Sequence, residues 1–98
     1  MAGVSRSAKT FTPKQGQYLA FIHLYTRLHR RPPAETDMQA YFRVSPPSVH
    51  QMVLTLERTG LIRRQPGSPR SIEVLVPPEQ LPVLEIPNQS VKTSVSRY

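Results

Sequence analysis

The chain has 98 residues, 38% of them hydrophobic, which suffices for one small core but not for an enzyme built around an enclosed cleft. It has no cysteine, so it holds neither a disulfide framework nor a thiolate metal site, and a reducing, cytoplasmic setting is the expectation. No secretory leader occupies residues 1–10 and no apolar run approaches the roughly 18 residues of a membrane span, so no membrane association is expected.

The formal charge of +7 is unevenly placed. Residues 1–70 carry eleven Lys or Arg against Glu35, Asp37 and Glu57, a net of +8, whereas residues 71–98 are at −1. Such asymmetry points to a polyanion partner. A basic surface by itself suits RNA or an acidic membrane nearly as well as duplex DNA.

Residues 1–11 are small and polar and read as a flexible arm, with order expected from Thr12. Thr12, Pro13 and Gln15 spell a capping box with proline in the first helical position. Tyr18, Phe21, Ile22, Tyr25, Leu28 and His29 follow at three- and four-residue steps, which predicts a first helix over about 13–29 with one apolar stripe. Arg31-Pro32-Pro33 is expected to stop it. Thr36-Asp37-Met38-Gln39 reads as a second capping box, opening a helix of barely two turns that buries Met38, Tyr41 and Phe42.

Arg43-Val44 is the expected turn. Ser45 then caps a third helix with Pro46 and Pro47 in its first turn. On a wheel Val49, Met52, Val53 and Leu56 form its core face, and Pro47, Gln51, Leu54 and Arg58 the opposite one. Gly60 ends the helix. Residues 61–65 and 71–76 read as two antiparallel strands around a turn at 66–70, closed by Pro77-Pro78. The fold class is therefore mostly α with a small β-hairpin: three helices and a two-stranded wing, a winged helix-turn-helix over 12–76. Residues 77–98 read as a tail available for a partner or dimer contact, and 90–97 alternate weakly, as a strand would.

From Phe11 to Val76, roughly two thirds of the chain, the sequence resembles the N-terminal DNA-binding domain of LexA-type repressors. The residues that carry the likeness are Thr12-Pro13-Lys14-Gln15, Arg31-Pro32-Pro33-Ala34-Glu35-Thr36, Ser45-Pro46 and Thr59-Gly60-Leu61-Ile62. Parts of this pattern also occur in winged regulators similar to the MarR group. The resemblance implies base contacts at the start of the third helix, on Ser45, Pro47, Ser48, His50 and Gln51. Proline and histidine stand here where LexA-like proteins usually show other residues, so an inherited operator is not expected. Such repressors also carry a self-cleaving serine–lysine peptidase. The 22 residues after Val76 are too few for it, and the Ala-Gly bond sits at Ala2-Gly3, so induction by cleavage is not expected.

Gln51 has the chemistry to pair with adenine, and Leu54 that to meet a thymine methyl or another chain. Arg58, Arg63, Arg64 and Arg70 are expected at phosphates beside the helix end and wing, with Arg27 and Arg31 as further backbone contacts. The resulting expectation is a small prokaryotic repressor that binds double-stranded DNA as a homodimer, without cofactor or small-molecule ligand. The alternative is a protein-interaction adaptor docking through Leu54 and residues 83–86. His23, His29 and His50 have no metal-ligand spacing, His29 being read as a partly buried packing residue, and no catalytic constellation is found.

Overall fold

The computed structural model describes residues 10–86. Three helices, α1 (Pro13–His29), α2 (Glu35–Phe42) and α3 (Pro46–Arg58), precede a hairpin of β1 (Ile62–Arg63) and β2 (Glu73–Val74) and a single 3-10 turn at Pro78–Gln80. The arrangement is the winged helix-turn-helix read from the sequence.

The caps explain the boundaries of α1. Thr12 Oγ1 accepts the Gln15 amide at 3.1 Å, and Gln15 Oε1 accepts the Thr12 amide at 2.9 Å. At the other end Arg30 enters the left-handed region (φ 62°) and donates its amide to the Thr26 carbonyl. The helix is thus already closed before Arg31-Pro32-Pro33. Its buried face is wider than the expected stripe: Leu19 and Ala20 are buried together with Tyr18, Phe21 and Ile22. Leu28, placed on that stripe by its spacing, is 77% exposed, and His29 is exposed with its ring against Tyr25.

The wider face has a cause beyond the three-helix core. Residues 77–86 fold back along α1 as a strap, with Leu81 and Leu84 against the core. Gln17 grips this strap with both ends of its amide, donating to the Val83 carbonyl at 2.9 Å and accepting the Glu85 amide at 2.7 Å. Tyr41 Oη adds a bond to the Glu85 carbonyl. Phe11 and Pro82 close over Gly16, where an added Cβ would come within 2.9 and 3.0 Å of them. The packed unit therefore runs past the expected boundary at 76, and Phe11 belongs to it rather than to a loose arm. Leu84, which the adaptor reading offers to a partner, is turned inward. The expected weak strand at 90–97 lies outside the described residues.

Helix α2 starts two residues earlier than the Thr36 cap predicts. Ala34 is the N-cap, and Asp37 reaches back so that its Oδ2 accepts the Ala34 amide at 2.8 Å. Helix dipole and hydrogen bond both favour a carboxylate in that first turn. Met38 is fully buried, and the rings of Phe42 and Tyr18 stack at 4.1 Å. Arg43 closes the helix in the left-handed region (φ 58°).

Ser45 caps α3, its Oγ accepting the Ser48 amide at 3.4 Å, and Pro46 and Pro47 occupy positions where no amide is needed. Val49, Val53 and Leu56 are buried completely and Met52 partly. Gly60 (φ 80°) turns the chain out, its amide donating to Glu57 O while Leu61 N–H reaches Leu56 O, a Schellman closure.

The wing pairs Ile62 with Val74 and Arg63 with Glu73. Its strands are shorter than the expected 61–65 and 71–76. Proline at 66 and 69 lies in the turn, outside those spans, and the pairing ends before it because the next donor, the Gln65 amide, is taken by a side chain. The Ser71 hydroxyl then takes over, accepting the Gln65 amide and donating to the Ser68 carbonyl.

Candidate nucleic-acid interface

The outward face of α3 follows from its buried one. With Val49, Val53 and Leu56 directed inward, the 3.6-residue period turns Pro47, Ser48, His50, Gln51 and Arg58 to solvent, with Leu54 partly covered beside them. Ser45 sits at the head of this face, its hydroxyl 3.0 Å from that of Ser48. No amide of the first turn is open there, since Pro46 and Pro47 have none and those of Ser48 and Val49 are taken by the Ser45 hydroxyl and carbonyl, so the hydroxyls of Ser45 and Ser48 are the polar groups this end presents.

The N-terminus of α1 runs alongside. Thr12, Lys14 and Gln15 form one wall of a shallow groove of about 360 Å³ whose other wall is Ser48, Gln51, Met52 and Thr55. Lys14 enters the sequence reading only within the likeness at residues 12–15 and not among the expected DNA contacts. Nothing local marks it, because only the packing of α1 beside α3 brings it to that face.

The arginines divide by their partners. Arg64, partly buried, donates through Nε and Nη2 to Glu57 Oε1, both at 3.1 Å, and lies 3.7 Å from Glu35. Arg63 pairs with Glu73 across the hairpin on its exposed side. Arg70, expected at a phosphate, is turned inward instead. Its Nη1 donates to Asp37 Oδ2 at 3.0 Å, the Pro32 carbonyl at 3.2 Å and the Tyr25 hydroxyl at 3.3 Å. The Tyr25 hydrogen bond and the Asp37 charge hold the Arg70 guanidinium above its ordinary pKa. Asp37 is held below the usual carboxylate range, chiefly by the Ala34 amide and then by Arg70. Arg70 is thus a clamp between the wing and the corner of α1 and α2.

Arg58 donates to the Thr55 hydroxyl at 3.4 Å on its exposed side. Arg27 and Arg31 are exposed near the end of α1 and pair with no acid among the described residues. His50 Nδ1 lies 3.2 Å from Glu35 Oε2. Glu35 and Glu57 therefore organise the basic face. Both are also among the lining residues of a cleft of about 520 Å³ under the wing tip, together with Arg64, Gln65 and Ile72.

Among the described residues no group of three or more His, Asp or Glu is placed to hold a metal ion, and no helix is long and apolar enough to cross a membrane. A capped helix presented outward beside a short basic wing defines a winged helix-turn-helix DNA-binding module.

The comparison with known proteins narrows this class. Residues 8–71 match the LexA DNA binding domain, and the chain belongs to that family. It is 33% identical over 75 residues to the LexA repressor of Thermosipho africanus, covering 76% of this chain and 38% of that protein. The LexA repressor of Geobacter metallireducens is 37% identical over 65 residues, with 65% and 32% covered. That of Bartonella quintana is 34% identical over 71 residues, with 71% and 30% covered. The chain thus spans about a third of the length of these relatives.

Proposed function

We propose that the chain binds duplex DNA sequence-specifically and acts as a transcriptional repressor, with α3 in the major groove and the wing beside the backbone. The observation that carries this reading is the outward face of α3, capped at Ser45 and continuous with the Lys14 groove on one side. Membership of the LexA DNA-binding family and relatives described as LexA repressors support it.

Gln51, His50 and Ser48 are the base-reading residues in this account, with Ser45 and Pro47 at the helix start and Leu54 against a thymine methyl. Lys14, Arg58, Arg63 and Arg64 serve phosphates, as do Arg27 and Arg31 if the duplex extends past the end of α1. Arg70 is assigned to the fold and withdrawn from that set. Two copies bind two half-sites as a homodimer, since a single module of this size reads too few base pairs for useful selectivity.

Selection of bound duplexes from a random pool at physiological salt tests the reading. A recovered motif repeated as two half-sites, with at least about a hundredfold preference over a scrambled duplex, is the expected result. A pool without enrichment would overturn sequence-specific binding.

A further inference from the structure

Glu35 is none of the residues assigned to DNA above, yet its carboxylate reaches from the first turn of α2 to the exposed face of α3. Its oxygens lie 3.2 and 3.3 Å from His50 Nδ1. On its other side Arg64 Nη1 stands 3.7 Å away, itself anchored on Glu57. A glutamate at neutral pH is a carboxylate, which only accepts hydrogen bonds. The imidazole nitrogen facing it therefore carries a proton.

We propose that Glu35 determines base specificity by position: it fixes neutral His50 as the Nδ1–H tautomer and presents Nε2 outward as a hydrogen-bond acceptor. This rests on the reading of His50 as a base-contacting residue. The partner hydrogen bond on one ring nitrogen decides the character of the other. In the major groove cytosine offers the N4 amino group and adenine the N6 amino group, whereas guanine offers only the acceptors N7 and O6. Held in this form, His50 accepts from cytosine or adenine and meets guanine acceptor to acceptor. The His50 side chain is 53% exposed and that of Glu35 30%, so the carboxylate is the more covered half of the pair and the ring the half left open to a duplex.

Two readouts on the full chain at about pH 8.5, where an ordinary histidine is neutral, test this. The first is the ¹⁵N shift pair of the His50 ring in the absence of DNA. Wild type is expected to show a protonated Nδ1 and a bare Nε2. Glu35→Ala should move the proton to Nε2, and Glu35→Gln, whose amide oxygen still accepts, should keep it on Nδ1. The second is duplex selection. Wild type and Glu35→Gln should favour cytosine or adenine at the base facing His50, and Glu35→Ala should swing that one position towards guanine by roughly tenfold. The position read by Gln51 should stay unchanged, and in a His50→Ala background the Glu35→Ala change should have no effect on base preference.

A wild-type proton on Nε2 would overturn the proposal at the Glu35–His50 pair. A proton on Nδ1 combined with base preferences untouched by His50→Ala would overturn it at the base-contact reading. A Glu35→Ala effect that persists without His50 would likewise defeat it.

Discussion

Arg70 Nη1 sits 3.0 Å from Asp37 Oδ2, across 33 residues of sequence, and this pair ties the turn of the wing to the first turn of α2. The same carboxylate oxygen accepts the Ala34 amide, so one side chain caps a helix and anchors the hairpin together. Arg70→Ala should therefore lower the melting temperature by several degrees and raise hydrogen exchange around residues 66–72. Its effect on DNA affinity should follow from the loosened wing, with no loss of one phosphate contact in the salt dependence. A salt slope lower by about one, with stability unchanged, would return Arg70 to the phosphate contacts.

The pH dependence follows from Asp37. Its carboxyl is held below the ordinary value in the folded state, so its contribution is complete above the unfolded-state pKa of about 3.9 and disappears as pH falls through the folded value. Asp37→Asn should accordingly be less stable than wild type at neutral pH, and the two should converge in acid. Urea midpoints measured between about pH 2 and pH 7 check this.

Gln51→Ala and Lys14→Ala should separate reading from holding. The first should narrow the gap between the preferred and a scrambled duplex by about 1–3 kcal/mol. The second should weaken both duplexes alike and reduce the salt slope by about one. Titrations at two salt concentrations distinguish them.

Gln17→Ala removes both amide bonds to the strap. Each is worth about 0.5–1.5 kcal/mol, so a loss within that range per bond is expected. Exchange of the Glu85 amide should accelerate well before the core amides of α1 respond. Equal acceleration throughout would show that the strap does not open separately.

Much of this fold was legible because its punctuation is local. Thr12, Ser45 and Gly60 mark helix ends through contacts within about one turn, so the bounds of α1 and α3 follow from short motifs. Two overlapping motifs blurred α2: Thr36 and Gln39 offer one box, while Ala34 and Asp37 supply the bond that forms. Asp37 prevails because it also neutralises Arg70, a partner that no local pattern reveals. The strap was illegible for the same reason, since its grip on Gln17 spans 66 and 68 residues.

The candidate interface divides similarly. The exposed face of α3 follows from the helical wheel, and Ser48, His50 and Gln51 lie on it. The arginines of the wing look alike in sequence but have different surroundings: Arg63 faces solvent, Arg64 is half-covered against two glutamates, and Arg70 points inward. Glu35 enters the sequence reading as a charge and as part of the likeness at residues 31–36, with no contact of its own. Its alignment with His50 depends on how α2 crosses α3, which is a tertiary fact.

The most direct test of the central claim is chemical-shift mapping of the protein on its selected duplex. Changes concentrated at Ser48, His50, Gln51 and Leu54, flanked by Lys14 and Arg63, are the predicted result. Changes gathered instead around the exposed Leu24, Leu28 and Val83, with the face of α3 unmoved, would contradict it.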